Sequence, residues 1–147
     1  MIKELLVAFA IVAVCLLLHV GTIVLLADWM LDHHEKRKER MTMPGYMVLL
    51  IAAFSGIIVL HMTEIAIWAG FYSTRSLFQD FETSFYFSLT SYTTMGFGDV
   101  VLPRGWRMLG GVEGVTGVLL CGLSTAFVFA IINAMFQTRV QRRTNTE

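Results

Sequence analysis

Residues 93–99 read Thr93-Thr94-Met95-Gly96-Phe97-Gly98-Asp99. Gly96 and Gly98 alternate with larger residues, and glycine takes positive φ as readily as negative. Alternating backbone twist through such a stretch turns successive carbonyls toward one axis. The side chains of Met95 and Phe97 then point outward into the packing around it. Just before it, Phe81 to Tyr92 is apolar and aromatic but only about a dozen residues long, too short to cross a bilayer as a helix. The length predicts a re-entrant half-helix, with the partial negative charge of its C-terminal end aimed at the space below residue 94. Non-helical backbone at membrane depth persists only where it is buried in protein or lines a watery path.

Working outward, the chain carries long unbroken apolar runs. It has 147 residues, 56% of them hydrophobic and 15% charged, where a soluble domain carries about 25% charged residues. Leu5 to Ala27 spans roughly 35 Å as a helix. It is longer than the apolar core of a cleaved leader and ends in Leu26-Ala27-Asp28-Trp29 without a small-residue cleavage site, so it reads as a retained transmembrane helix. Met47–Phe71 and 106–136 are the second and third spans. Pro44-Gly45 punctuates the chain before the second. The fold class is an all-α membrane protein with three transmembrane helices and a re-entrant pore helix. Its divisions are an N-terminal helix and loop (1–46), a pore unit (47–136) and a short tail (137–147).

Three crossings put the 28–46 loop and the tail on one side. That side holds Lys36, Arg37, Lys38, Arg40, Arg139, Arg142 and Arg143, against Lys3, Arg75, Arg104 and Arg107 on the other. The bias places the loop and tail in the cytoplasm, the N-terminus outside, and the chain in the cell membrane. Lys and Arg equal Asp and Glu at eleven each, so bulk charge offers nucleic acid no hold. Cys15 and Cys121 lie in different apolar runs and read as buried free thiols.

The 93–99 stretch resembles the signature of potassium channels, usually Thr-Thr-Val-Gly-Tyr-Gly-Asp. Phe85-Tyr86-Phe87-Ser88-Leu89-Thr90 looks like the pore helix of the two-pore-type channel domain found in small prokaryotic channels. Trp106-Arg107-Met108-Leu109-Gly110 and Gly122-Leu123-Ser124-Thr125-Ala126 look like its inner helix. The resemblance covers roughly residues 47–136. It implies a homotetramer, because one pore loop supplies a quarter of a filter. It also implies ion binding by Thr94, Met95, Gly96, Phe97 and Gly98, whose carbonyls would ring potassium ions and replace their hydration shells. That mechanism comes with the resemblance and does not follow from the spacing. Thr93 and Asp99 would support the filter. Two residues depart from the signature: Phe97 replaces Tyr, losing a hydroxyl, and Met95 replaces Val or Ile, bracing its carbonyl less stiffly.

Gly110, Gly111, Gly114, Gly117 and Gly122 crowd the start of the third span. Small residues let membrane helices approach closely. By resemblance, Gly117 is instead a hinge, Val118, Cys121, Thr125 and Phe129 line the pore cavity, and Phe129 is a hydrophobic constriction. Glu64, with His61 on the same helix face, and Glu113 are acids inside spans at filter depth. Such residues usually face the protein interior. They read either as filter supports, hydrogen-bonding Thr90, Tyr92 or the pore-helix N-terminus, or as a protonation-sensitive network. His19 reads as a helix–helix contact in a peripheral, lipid-facing first helix that lacks the repeated arginines of a voltage sensor. The adjacent His33-His34 lack further ligands for a metal site.

The expected function is a potassium-selective channel subunit. It has itself and lipids as partners, permeant K+ in place of a cofactor, and neither a small-molecule substrate nor catalysis. A weakly selective cation channel, motivated by Met95, and a non-conducting regulatory subunit are the alternatives. No nucleophile or metal set accompanies His61 and Glu64 to make an enzyme.

Overall fold

The computed structural model describes residues 2–37 and 43–144, with the side chains of 2–29, 44–137 and 144. Four α-helices account for nearly all of it: α1 (Ile2–Arg37), α2 (Met43–Thr74), α3 (Phe81–Tyr92) and α4 (Arg107–Thr144), with a 3-10 turn at Arg104–Trp106 leading into the last. Three of them, α1, α2 and α4, are long and apolar enough to cross a membrane. The helices run on where sequence reading placed polar segments. Residues 28–37 extend α1, α2 begins at Met43, and α4 continues past 136 to Thr144. Apolar runs mark where a helix meets lipid; a polar stretch without Gly or Pro gives the backbone no reason to stop. The side chains of His33, His34, Lys36, Arg37, Arg139, Arg142 and Arg143 lie outside the described residues, as do Lys38 and Arg40 entirely.

Cross-helix pairs fix the topology. Leu26 lies against Gly56 and His19 against Glu64, so α1 and α2 are antiparallel. Glu4 lies against Gly105 and Ser124 against His19, so α1 and α4 run side by side in the same sense. α3 begins near the end of α2, where the Asp80 carboxylate caps it by accepting from the Thr83 backbone N–H at 2.7 Å. That amide also holds the exposed Asp80 carboxyl below the usual carboxylate range. Such a cap satisfies a donor the helix leaves unpaired.

The core sits where α2, α3 and α4 meet, and Ala8 and Cys15 of α1 join it. Trp68, Tyr72, Phe78 and Phe87 pack ring on ring, with Tyr72–Phe87 centroids 5.4 Å apart and edge-on and Phe78–Phe87 at 5.1 Å. These spacings suit the aromatic quadrupole and add to plain burial. Apolar association gains little inside lipid, so close packing and interhelical hydrogen bonds carry the load. On α4, Gly110, Gly114 and Gly117 follow one another along the face that meets α3. A Cβ on Gly110 would lie 3.1 Å from Phe87 Cζ, and one on Gly114 would lie 3.1 Å from the Ser91 carbonyl. At Gly117 it would lie 2.0 Å from the Tyr92 carbonyl oxygen. That position is a close approach, which gives Gly117 a packing role of its own beside the hinge that the resemblance implies.

Candidate functional site

α3 descends from the level of Thr74 and ends where Tyr92 meets Glu64 and Gly117. Those residues lie ten positions from the C-terminal end of α2 and from the N-terminal end of α4, or roughly 15 Å along each helix at 1.5 Å per residue. The chain then turns back. Thr94 and Gly96 donate their backbone N–H groups to the Ser91 carbonyl at 3.0 Å and the Thr90 carbonyl at 3.1 Å.

The returning strand alternates as its glycines imply. φ is +59° at Thr94, +50° at Gly96 and +79° at Gly98, with Met95 and Phe97 on the ordinary side. The alternation therefore begins one residue before the first glycine, at a threonine. A β-branched residue there is strained by roughly 1–3 kcal/mol. Residues 93–99 are all exposed in the single chain. Met95 and Phe97, expected to point into packing, are instead 62% and 66% exposed in the single chain. At the end of the strand the Tyr86 hydroxyl donates to Asp99 Oδ2 at 2.7 Å and lowers the carboxyl below the usual range. Thr93 Oγ1 donates back to the Leu89 carbonyl at 2.6 Å and closes the last turn of α3.

Behind this strand stand two buried acids. Glu113 accepts from the Tyr72 hydroxyl at 2.7 Å and from the Ser88 hydroxyl, and so joins α4 to α2 and to the middle of α3. Glu64 accepts from the Tyr92 hydroxyl at 2.5 Å and meets His19 Nδ1 at 2.8 Å. Both acids are fully buried, and each holds the re-entrant helix through a hydroxyl. Of the partners foreseen for them, Tyr92 is used, whereas Thr90 turns back to the Phe87 carbonyl. Tyr72, Ser88, Tyr86 and Ser124 were missed, because a hydroxyl in an apolar run carries no sign of its partner.

A groove of 480 Å³ lies between the strand and α4, lined by Thr90, Ser91, Thr94 and Gly96 on one side and Gly111, Gly114, Val115 and Val118 on the other. Val118 thus sits under the glycine strand. Cys121 and Thr125 line a second groove against Phe54, Ile57 and His61 of α2. Phe129 is 68% exposed one turn further along α4. All four residues expected on the cavity face, Val118, Cys121, Thr125 and Phe129, are exposed in the single chain at helical spacing along α4. Cys15 is buried, but Cys121 is exposed in the chain, because its helix face turns away from α3.

The assembled features are a short helix that enters the bundle and turns back, an exposed strand of alternating φ, and two long apolar helices that hold them. No curated protein and no solved structure matches the chain. A family model described as an ion channel matches residues 46–134, from the start of α2 to beyond Phe129 on α4. Across more than half its length the sequence carries that pattern, and the chain belongs to the ion channel family of the two-pore, potassium-channel type, as a multi-pass membrane protein.

Proposed function

We propose that four copies of this chain assemble around the 94–98 strands into a pore that conducts K+ passively and selectively. The observation that carries the reading is the alternation of φ at Thr94, Gly96 and Gly98, with every residue from 93 to 99 exposed. Uncovered, ordered backbone at membrane depth needs neighbours, and a ring of copies supplies them together with a watery path. Carbonyl rings from four strands replace the hydration shell of a permeant ion. The C-terminal end of α3 faces the inner mouth of that path with its partial negative charge. Val118 and Thr125 line the cavity below, and Phe129 is its hydrophobic constriction. The chain sits in the cell membrane with its N-terminus outside. It works without catalysis, without a cofactor beyond the permeant ion, and with lipid as its other partner.

The 62% exposure of Met95 favours one second reading, a weakly selective cation pore, because a flexible side chain braces the carbonyl beside it less well. Liposome flux on purified protein separates the readings. Barium-blocked K+ flux with little Na+ flux is the expected result. Equal K+ and Na+ fluxes support the weakly selective pore. Intact tetramers that pass neither ion under any membrane potential or pH would sink both in favour of a non-conducting subunit.

A further inference from the structure

The first helix is joined to the rest of the molecule by a closed circuit of side chains. Glu64 Oε1 meets His19 Nδ1 at 2.8 Å, and His19 Nε2 meets Ser124 Oγ at 3.2 Å. Ser124 Oγ meets His61 Nε2 at 3.1 Å, and His61 Nδ1 meets the Tyr92 hydroxyl at 2.8 Å. The Tyr92 hydroxyl returns to Glu64 Oε2 at 2.5 Å, and His61 Nδ1 also lies 3.3 Å from Oε2. Four helices contribute: α1, α2, α3 and α4.

The two histidines point their Nε2 atoms at one oxygen. Ser124 Oγ has two acceptor lone pairs, so it can take an N–H from each ring. With both Nε2–H groups placed there, each ring turns an Nδ1 lone pair toward the Glu64 carboxylate, which is the arrangement that would receive a metal ion. Metal-bound histidines characteristically donate their second ring N–H to an oxygen, which fixes the tautomer, and Ser124 stands where that oxygen belongs.

From this geometry we propose that His19, His61 and Glu64 bind a borderline divalent transition-metal ion of the zinc class. Each offers a donor atom within 4.8 Å of the others. Donors around a tetrahedral ion with bonds of about 2.05 Å stand about 3.3 Å apart. The 3.3 Å between His61 Nδ1 and Glu64 Oε2 matches that spacing, and the 2.8 Å hydrogen bond between His19 Nδ1 and Oε1 would open by about 0.5 Å to reach it. Two imidazoles and a carboxylate suit zinc better than calcium or magnesium, which want oxygen ligands. The fourth position falls to water. His19 and Glu64 are fully buried, while the His61 side chain keeps 13% exposure into a 220 Å³ groove shared with Cys121 and Ser124. The ion reaches the site by that groove. The bound ion ties α1 to α2 directly behind the end of α3.

The test is metal content and does not depend on whether the pore conducts. Purified full-length protein is equilibrated with zinc chloride, desalted and assayed by elemental mass spectrometry. One zinc per chain is expected, falling at least tenfold in His19→Gln and in Glu64→Gln. The double change His33→Ala and His34→Ala should leave it unchanged. Should the buried glutamines prevent folding, zinc-edge X-ray absorption of the wild-type protein decides, with two imidazoles and a carboxylate oxygen expected in the shell. His19→Cys restores a ligand and should shift the preference toward cadmium. Folded wild-type protein without zinc, zinc retained by the folded glutamine variants, or a shell with fewer than two imidazoles would each overturn the proposal.

Discussion

Replacing Gly117 by alanine adds one methyl group at the tightest point of the molecule. The new Cβ would stand 2.0 Å from the Tyr92 carbonyl oxygen, 2.9 Å from its carbonyl carbon and 3.0 Å from its ring. Ordinary contact begins near 3.4 Å, so the two backbones must part by about 1.4 Å. The obstructing atom is backbone at the end of α3 and cannot swing aside as a side-chain tip would. Overpacking costs about 1–3 kcal/mol, and this geometry belongs at the upper end. Alanine recovers about 1 kcal/mol of helix propensity over glycine. A net loss of about 2 kcal/mol lowers the unfolding midpoint by roughly 4–8 °C for a chain of this size. The displaced Tyr92 also drags Thr94 and the start of the glycine strand, so K+ flux falls with stability. Gly122→Ala is the control, since nothing lies within 4 Å of a Cβ there; it should match the parent or exceed it slightly. Thermal unfolding in one detergent, paired with liposome flux, makes the comparison. A Gly117→Ala protein as stable as the control, with altered opening alone, would refute close packing and leave only the hinge.

Glu113→Gln keeps an acceptor for one of Tyr72 and Ser88 but turns an amide N–H toward the other; a loss of about 1–3 kcal/mol in thermal stability is expected. The Asp99 carboxyl is lowered by the Tyr86 hydroxyl, so the stability it lends is full above the unfolded carboxylate range and lost as pH falls through the lower folded value. A stability–pH profile should be flat from neutrality to about pH 5 on this account, decline only in more acid solution, and lose part of that decline in Tyr86→Phe. Met95→Val stiffens the side chain at the branch and should shift reversal potentials in mixed K+ and Na+ toward the K+ value; an unchanged potential would remove Met95 from the selectivity argument. Phe129→Ala should raise barium-blocked flux at rest, whereas unchanged flux would leave Phe129 without a part in closing.

Much of this architecture is legible in the sequence because lipid imposes simple rules. An apolar run of the right length must span, and a dozen-residue run ahead of alternating glycines must re-enter. The positive φ values at Gly96 and Gly98 follow from residue type alone. Thr94 does not: its φ of +59° is imposed by the hydrogen bonds of residues 94 and 96 to the last turn of α3. The partners of His19 stand 45 and 105 residues away, and no local pattern joins positions so distant. At Gly117 packing and bending both stay open in the sequence, since nothing in a helical pattern tells a glycine that bends from one that makes room. The continuation of α1 to Arg37 was hidden for a related reason: hydropathy reports the solvent around a helix and is silent on where the helix ends.

The shape of the glycine strand is settled inside one chain, by two amide hydrogen bonds and the left-handed turn at Thr94. Fixing a residue's backbone costs about 1–2 kcal/mol of entropy wherever it happens. Here that ordering belongs to the folding of the protomer. Subunits of the proposed pore would therefore meet as shaped pieces, and their encounter would resemble docking more than coupled folding. The same arrangement would give each protomer of the proposed ring a shape of its own to be matched, and a copy whose α3 had failed to seat would offer its neighbours the wrong face.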